Sequence, residues 1–178
     1  NILYSGGDDV FALGYWEKVI AFAEDVRAEF RKFAARDDIT LSAGIELVGA
    51  KFPVAKGAEI AGEAEEKAKK HKMDIGNGKV VFKNALCFLG VPLNWDYEWP
   101  QVKNLKEKLV RWVRDESITR GLLMQLIGYY ETWKYNTKDD KEYHNWKWQA
   151  AYNIARRQKN HKEDKNAGVN EALEELKQ

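Results

Sequence analysis

A short polar break between two apolar runs at the start of the chain constrains the fold more than any other feature. Residues 2–5 and 10–13 read as strands, and Gly6, Gly7, Asp8 and Asp9 lie between them. Glycines at such a break favour a tight antiparallel turn. The sequence therefore predicts a β-hairpin whose tip carries two adjacent carboxylates.

The carboxylate pair, Asp8 and Asp9, indicates metal-assisted chemistry. Two adjacent aspartates repel each other and form strands poorly, and a bound divalent cation (Mg or Mn) relieves the repulsion. Gly6 and Gly7 leave the backbone open to a phosphate chain. A solvated turn is the alternative, because Gly-Gly and Gly-Asp are common turn dipeptides. The apolar flanks and the elements that follow favour a nucleotidyl-transfer site.

The composition excludes several classes of protein. The chain has 178 residues, of which 44% are hydrophobic and 32% charged, which is typical of a globular protein. A formal net charge of +1 indicates neither a nucleic-acid nor a membrane partner. Cys87, the single cysteine, excludes an internal disulfide, fits a reducing cytoplasm and is expected in the core. Because the chain begins without Met inside an apparent strand, we expect it to be a piece of a larger polypeptide.

The order of the predicted elements matches a known motif. After the hairpin, periodicity predicts a helix, a strand, a helix and two short strands, over residues 16–35, 39–47, 54–72, 79–82 and 85–89. This order fits a ferredoxin-like βαββαβ palm that lacks its first strand and first helix. The second helix carries a stripe of small residues, which predicts close packing on a sheet: Ala58, Ala61, Ala64 and Ala68.

The pattern changes near residue 93. Apolar stripes beyond it predict helices around residues 102–112, 118–133 and 143–154, with a charged loop at 137–140. We therefore expect an α+β palm domain over residues 1–93 and an all-α helical domain over 94–178. Five of the seven tryptophans lie between Trp99 and Trp148. We expect Trp133 and Trp146 in the helical core, and the surplus at an interface or stacked on RNA.

Three segments resemble one known family: residues 4–9 (Tyr-Ser-Gly-Gly-Asp-Asp), residues 41–45 (Leu-Ser-Ala-Gly-Ile) and the alanine-rich helix ending at Lys69. They resemble the second palm domain of the large subunit of type III CRISPR effector complexes, in its Csm (subtype III-A) form. Residues 152–156 resemble that subunit's C-terminal helical domain.

This resemblance implies a palm related to nucleotide cyclases. It converts ATP into cyclic oligoadenylate messengers when guide RNA pairs with target RNA, within a cytoplasmic hetero-oligomeric ribonucleoprotein that serves antiviral defence. Asp8 and Asp9 match the metal-binding pair of the family. A third metal carboxylate would lie at the end of the palm's first strand, which this chain lacks. We therefore expect the isolated segment to be inactive.

Lys69 and Ser42 are further candidates for nucleotide binding. Residues 61–69 resemble a helix of diguanylate cyclases whose lysine binds a substrate phosphate, and they depart from it at Gly62, where those enzymes have Asp. Lys69 is therefore either that phosphate ligand or part of a solvated lysine run. Ser42 either lines the nucleotide pocket or is an ordinary polar strand position.

Two other functions remain open. In the first alternative, the palm is a non-catalytic assembly module of the same ribonucleoprotein. In the second, the chain is a diguanylate-cyclase-like enzyme. Val10 argues against the second, because that signature continues with an acidic residue and Phe. No general base is identified, since none of His71, His144 and His161 is followed by Asp. One cysteine and scattered histidines also make a structural zinc site improbable.

Overall fold

The computed structural model describes residues 1–36, 38–136, 148–149, 151–153 and 155–156, with the backbone alone for 132–136. The chain divides into two compact units, Asn1–Lys103 and Asn104–Gln178. Its strands and helices follow in this order: β1 (Ile2–Gly6), β2 (Asp9–Ala12), α1 (Trp16–Ala34), β3 (Ala43–Ile45), α2 (Val54–Lys69), β4 (Lys72–Asp74), β5 (Val80–Phe82), β6 (Ala85–Phe88), β7 (Val91–Asn94), α3 (Trp99–Arg114) and α4 (Arg120–Asn136).

The predicted hairpin at the start of the chain is confirmed. β1 and β2 pair antiparallel, and Gly6 lies opposite Asp9, which leaves Gly7 and Asp8 as a two-residue loop. Gly7 has a φ of +63°, whereas Asp8 is not among the residues with positive φ. A glycine with positive φ at the first loop position alone is typical of a type II′ turn. The register shifts between Ile2 and Tyr4, so the hairpin is bulged near its base.

The main sheet has the order β3-β6-β7. β3 and β6 are parallel and α2 lies between them in sequence, whereas β6 and β7 are antiparallel. α2 packs on this sheet through its alanine stripe, because Ala64 and Ala68 are buried against Ala85 and Cys87. The predicted close packing of the stripe and the core position of Cys87 are therefore confirmed.

Gly44 in the middle of β3 makes this packing possible. A Cβ atom built at Gly44 would overlap the backbone of α2, at the carbonyl oxygen of Ala61 and the amide nitrogen of Glu65. Backbone atoms cannot move aside as the end of a flexible side chain can. The helix therefore lies against the strand only because position 44 has no side chain.

A second cluster of buried residues joins α1 to the sheet. Ile45, Leu86, Trp95 and Trp99 are buried there, and Val19, Ile20 and Ala23 of α1 pack against them. Polar contacts reinforce the same face of α1. Arg27 and Arg31 both bind the carboxylate of Asp96, and the indole Nε1 of Trp99 donates to Glu24 at 2.7 Å.

Burial by itself raises the pKa of Asp96, but the hydrogen bonds from Arg27 and Asn84 and the nearby arginine charges outweigh it. The net effect holds the pKa of Asp96 below its usual value. A carboxyl whose pKa is lowered by folding stabilises the fold above its unfolded pKa. That contribution is lost as the pH falls through the folded pKa.

The structure differs from the predicted elements in three places. The strand predicted over residues 39–47 is limited to Ala43–Ile45, where β6 provides a partner. The second helix ends at Lys69 rather than at residue 72, because residue 72 is the first residue of β4, which pairs with β5. β7 was not predicted, since its four residues include Pro92, which suits a sheet edge but weakens the strand signal.

The second unit has its own small core. Trp112, Ile118 and Leu122 are buried there, and the helices predicted around residues 102–112 and 118–133 are present as α3 and α4. Trp148 is 76% exposed, as expected of an aromatic that is surplus to the core. The predicted core roles of Trp133 and Trp146, and the loop at 137–140, lie outside the described residues.

The boundary between the two compact units, after Lys103, falls inside α3. Trp99, the first residue of α3, is buried in the core of the first unit. The domain boundary after residue 93 stays a prediction. Among the described residues, no helix combines the length and the apolar character needed to cross a membrane.

We expect Gly44→Ala to lower the free energy of unfolding by about 3 kcal/mol, because the new methyl group overlaps the backbone of α2. Gly62→Ala is the matched control in α2, since a Cβ atom there meets nothing within 4 Å. Alanine at an open helical position is expected to stabilise by up to about 1 kcal/mol. Urea unfolding followed by circular dichroism measures both variants. Equal stability of the two variants would contradict the proposed role of Gly44.

Candidate functional site

The two aspartates lie at the open end of the β1–β2 hairpin. Asp8 occupies the turn, Asp9 is the first residue of β2, and both are exposed. Side chains two residues apart on a strand share a face, so Asp9 lies on the same face as Gly6 and Tyr4. A Cβ atom built at Gly6 would lie 2.8 Å from the hydroxyl oxygen of Tyr4. The tip therefore offers two carboxylates and a neighbouring phenol to solvent.

The glycines differ in what surrounds them. A Cβ atom at Gly7 would meet nothing within 4 Å, so the space over the turn is open. At Gly6 the ring of Tyr4 fills that space. Gly7 is therefore the position at which a large ligand has unobstructed access to the backbone.

Lys69, the last residue of α2, lies within electrostatic range of the tip. Its Nζ atom is 2.9 Å from Oε1 of Glu65 and 3.8 Å from Oε1 of Glu66. The hydrogen bond that Lys69 donates to Glu65 is the main cause of a raised Lys69 pKa, and the charge of Asp9 makes a smaller contribution in the same direction. Glu65 is therefore the nearest charged partner of Lys69, and the role of Lys69 as a phosphate ligand stays a prediction.

Ser42 lies immediately before β3 and is half-buried. Its role in lining a nucleotide pocket stays a prediction.

The donor set at the tip suits a small divalent cation. Mg²⁺ is commonly held by one or two carboxylates, with substrate phosphates and water completing its shell. Asp8 and Asp9 provide two such carboxylates with open space around them. No group of three or more His, Cys, Asp or Glu side chains that could hold a metal is found in the described residues. Only a cation that also takes ligands from its substrate or another segment fits this tip.

Glu65 and Tyr4 were not predicted as site residues. Glu65 precedes Lys69 by four positions, a helical spacing that brings the two side chains together, and this spacing was a usable signal. The position of Tyr4 follows from the hairpin register, since it is two residues before Gly6 on the same face.

His71 has a structural partner. Its Nε2 atom lies 2.7 Å from Oε2 of Glu98, and the same oxygen accepts the backbone N–H of Asn94 at 2.6 Å. These contacts connect the end of α2 to the segment before α3. His71 is therefore held in a contact between two segments of the first unit.

Comparisons with known proteins identify the first part of the chain. Residues 1–75 match the family model described as Cas10/Cmr2, second palm domain. Over 144 residues, 79% of the chain, the sequence is 33% identical to the CRISPR system single-strand-specific deoxyribonuclease Cas10/Csm1 (subtype III-A) of Methanocaldococcus jannaschii. It is 46% identical over 74 residues, 42% of the chain, to the protein of the same name from Streptococcus thermophilus. It is also 37% identical over 96 residues, 54% of the chain, to that from Mycobacterium tuberculosis.

These matches span a small part of each relative. They cover 17%, 10% and 11% of the three proteins, respectively. The resemblance to the large subunit of type III-A effector complexes is confirmed for the part of the chain that is matched.

We expect Asp9→Asn to lower the pKa of Lys69, because the substitution removes one of the charges that raise it. Glu65→Gln is expected to lower that pKa further, since the hydrogen bond that Lys69 donates to the Glu65 carboxylate is the larger cause. NMR titration of ¹⁵N-labelled lysine side chains measures both shifts. A Lys69 pKa that does not respond to Asp9→Asn would show that the two side chains are not coupled.

Proposed function

We propose that the chain is the nucleotidyltransferase part of a type III-A CRISPR effector complex, because residues 1–75 match the family model of the Cas10/Cmr2 second palm domain. Its substrate is ATP and its products are cyclic oligoadenylates. The observation that carries this proposal is the exposed pair Asp8 and Asp9 on a glycine turn, at the tip of a hairpin.

The chemistry requires a ribose hydroxyl to attack the α-phosphorus of a second ATP. An O–P bond forms, and the bond from that phosphorus to the pyrophosphate leaving group breaks. Bound divalent cations supply charge neutralisation on the phosphates and activation of the attacking hydroxyl. Asp8 and Asp9 would hold these cations, with Mg or Mn as the candidates. No side chain is assigned as general base.

Other residues of the chain would position the nucleotide. Gly7 leaves open space above the turn, so phosphate oxygens can approach backbone atoms there. Lys69 would exchange part of its contact with Glu65 for a phosphate oxygen. Ser42 and Gly6 are proposed to line the adenosine side of the pocket.

We also propose that the palm has a ferredoxin-like sheet completed by another segment of the parent polypeptide. In the described residues β3 pairs only with β6, and β1–β2 form a separate sheet. A strand inserted between β2 and β3 would join the two sheets. It would also bring a third carboxylate to the tip, as the resemblance implies.

The complex proposed here is a cytoplasmic ribonucleoprotein that contains other protein subunits, guide RNA and target RNA. The nuclease activity named for the relatives is not assigned to this chain, because it lacks a His-Asp motif. Two apolar surfaces favour assembly as a second role. In the hairpin, Ile2 and Tyr4 are each 58% exposed, and Phe33 of α1 is 90% exposed.

We expect the double variant Asp8→Ala and Asp9→Ala to abolish oligoadenylate synthesis by the assembled complex. Assembly should be retained, because both side chains are exposed and their removal opens no cavity. Glu17→Ala with Glu63→Ala removes the same charge from exposed positions elsewhere and should leave synthesis unchanged. Conversion of radiolabelled ATP with Mg²⁺ or Mn²⁺ is the measurement. Full activity of the aspartate variant would leave the chain with the assembly role alone.

We expect Lys69→Ala to raise the ATP concentration needed for half-maximal synthesis roughly 10-fold, as the loss of one charged phosphate contact implies. Stability should change by less than ~1 kcal/mol, because the lysine is largely exposed. Lys70→Ala is the control, since Lys70 is the next residue, is 78% exposed and lies 3.7 Å from Glu66. If the two variants use ATP equally well, Lys69 belongs to the solvated lysine run.

A further inference from the structure

We propose that the β4–β5 hairpin is a docking surface for single-stranded RNA. The surface, called the lysine hairpin below, consists of Lys72, Lys79, Phe82 and Lys83. It is distinct from the aspartate tip, and no residue of it was singled out as functional from the sequence.

The hairpin has one face toward the protein and one toward solvent. Along both β4 and β5, exposed residues alternate with one half-buried residue. Met73 and Val81 are the half-buried pair, which leaves Lys72 opposite Phe82 on the outer face. Phe82 is 56% exposed, and the Nζ atom of Lys72 lies 5.5 Å from the centre of its ring. An exposed aromatic ring beside a cation is therefore built into a paired strand.

The segment that contains the lysine hairpin carries three lysines and one carboxylate, Asp74. Lys72, Lys79 and Lys83 are all exposed, and they are the three lysines between residues 71 and 83. Asp74 is the single acidic residue of this segment, and its carboxylate accepts the N–H of Gly76 at 2.8 Å within the connecting loop. The segment is thus positive although the whole chain has a formal net charge of only +1.

The loop at the end of the hairpin is open. Gly76, Asn77 and Gly78 have φ values of +89°, +53° and +71°. A Cβ atom at either glycine would meet nothing within 4 Å. A bulky ligand can therefore approach the lysines from the loop end without steric obstruction.

This combination fits single-stranded RNA better than a protein partner. Lysines neutralise phosphates, and an exposed ring stacks on an unpaired base without reading its identity. Protein–protein interfaces are depleted in lysine. Because Lys72 lies beside Phe82 at the centre of this surface, the surface is atypical of a protein-docking site. The choice of RNA over DNA rests on the proposed function, which places the chain in a ribonucleoprotein.

The test uses the full-length large subunit without guide RNA and a fluorescent 20-nucleotide oligouridylate as the probe. The variant carries Lys72→Gln, Lys79→Gln and Lys83→Gln. The control carries Lys18→Gln, Lys32→Gln and Lys56→Gln, three exposed lysines on α1 and α2. We expect the hairpin variant to bind at least 10-fold more weakly and the control to bind as the wild type does. The slope of log K against log salt concentration should fall in magnitude by about 2 in the hairpin variant.

The aromatic ring is tested separately. Phe82→Leu keeps an apolar side chain on β5 and should weaken binding about 5-fold or more, whereas Phe82→Tyr should retain it. Equal affinity of the two lysine variants would overturn the proposal. So would a hairpin variant that binds RNA normally but fails to assemble with protein subunits, which would indicate a protein-docking face. Equal or tighter binding of the matching deoxyoligonucleotide would overturn the assignment to RNA.

The outcome is separable from that of the proposed function. The subunit with Asp8→Ala and Asp9→Ala should bind the oligouridylate as the wild type does. If the wild-type complex makes no oligoadenylate but the hairpin lysines still control RNA affinity, the proposed function alone fails. If synthesis depends on the aspartates but RNA affinity does not depend on the lysines, the lysine hairpin proposal alone fails.

Discussion

The contact between the backbone of α2 and the middle of β3 is the constraint on which the first unit depends. The close approach of the helix to the strand is possible because Gly44 of β3 has no side chain and because Ala64 and Ala68 of α2 have small ones. The same contact sets how closely α2 lies against β3, and Lys69 at the end of this helix is within electrostatic range of Asp9. A larger side chain at position 44 would move the helix as a body. The geometry of the candidate site is therefore set by packing at residues that take no part in its chemistry.

Much of this arrangement could be predicted from local sequence. Glycines between apolar runs predicted the hairpin, helical periodicity predicted α1 and α2, and the alanine stripe predicted which face of α2 is buried. Each of these signals is local, because it lies within one hairpin or within a few turns of one helix. The position of the aspartates at the tip followed directly, because they lie with the two glycines in the break between the predicted strands.

The parts that could not be predicted depend on partners distant in sequence. β3 is only as long as its pairing with β6, so its alternating pattern over residues 39–47 overstated the strand. Asp96 forms ion pairs with Arg27 and Arg31 of α1, and no local sequence pattern predicts such a contact. Glu65 was missed for a different reason. Its spacing from Lys69 was visible, but only the folded chain brings the charge of Asp9 to bear on the pKa of Lys69.

The first unit separates its stability from its candidate chemistry. Ala64, Ala68, Ala85 and Cys87 are completely buried, whereas both aspartates are exposed on a turn that packs against little else. Substitutions at the tip should therefore change chemistry without unfolding the sheet, because no buried contact is lost. The same exposure means that the hairpin alone cannot hold the aspartates in a fixed position relative to a nucleotide. Under the proposed function, rigid positioning would come from the segment that covers the apolar face of β1 and β2, and completion of the sheet would then be a condition for catalysis rather than for folding.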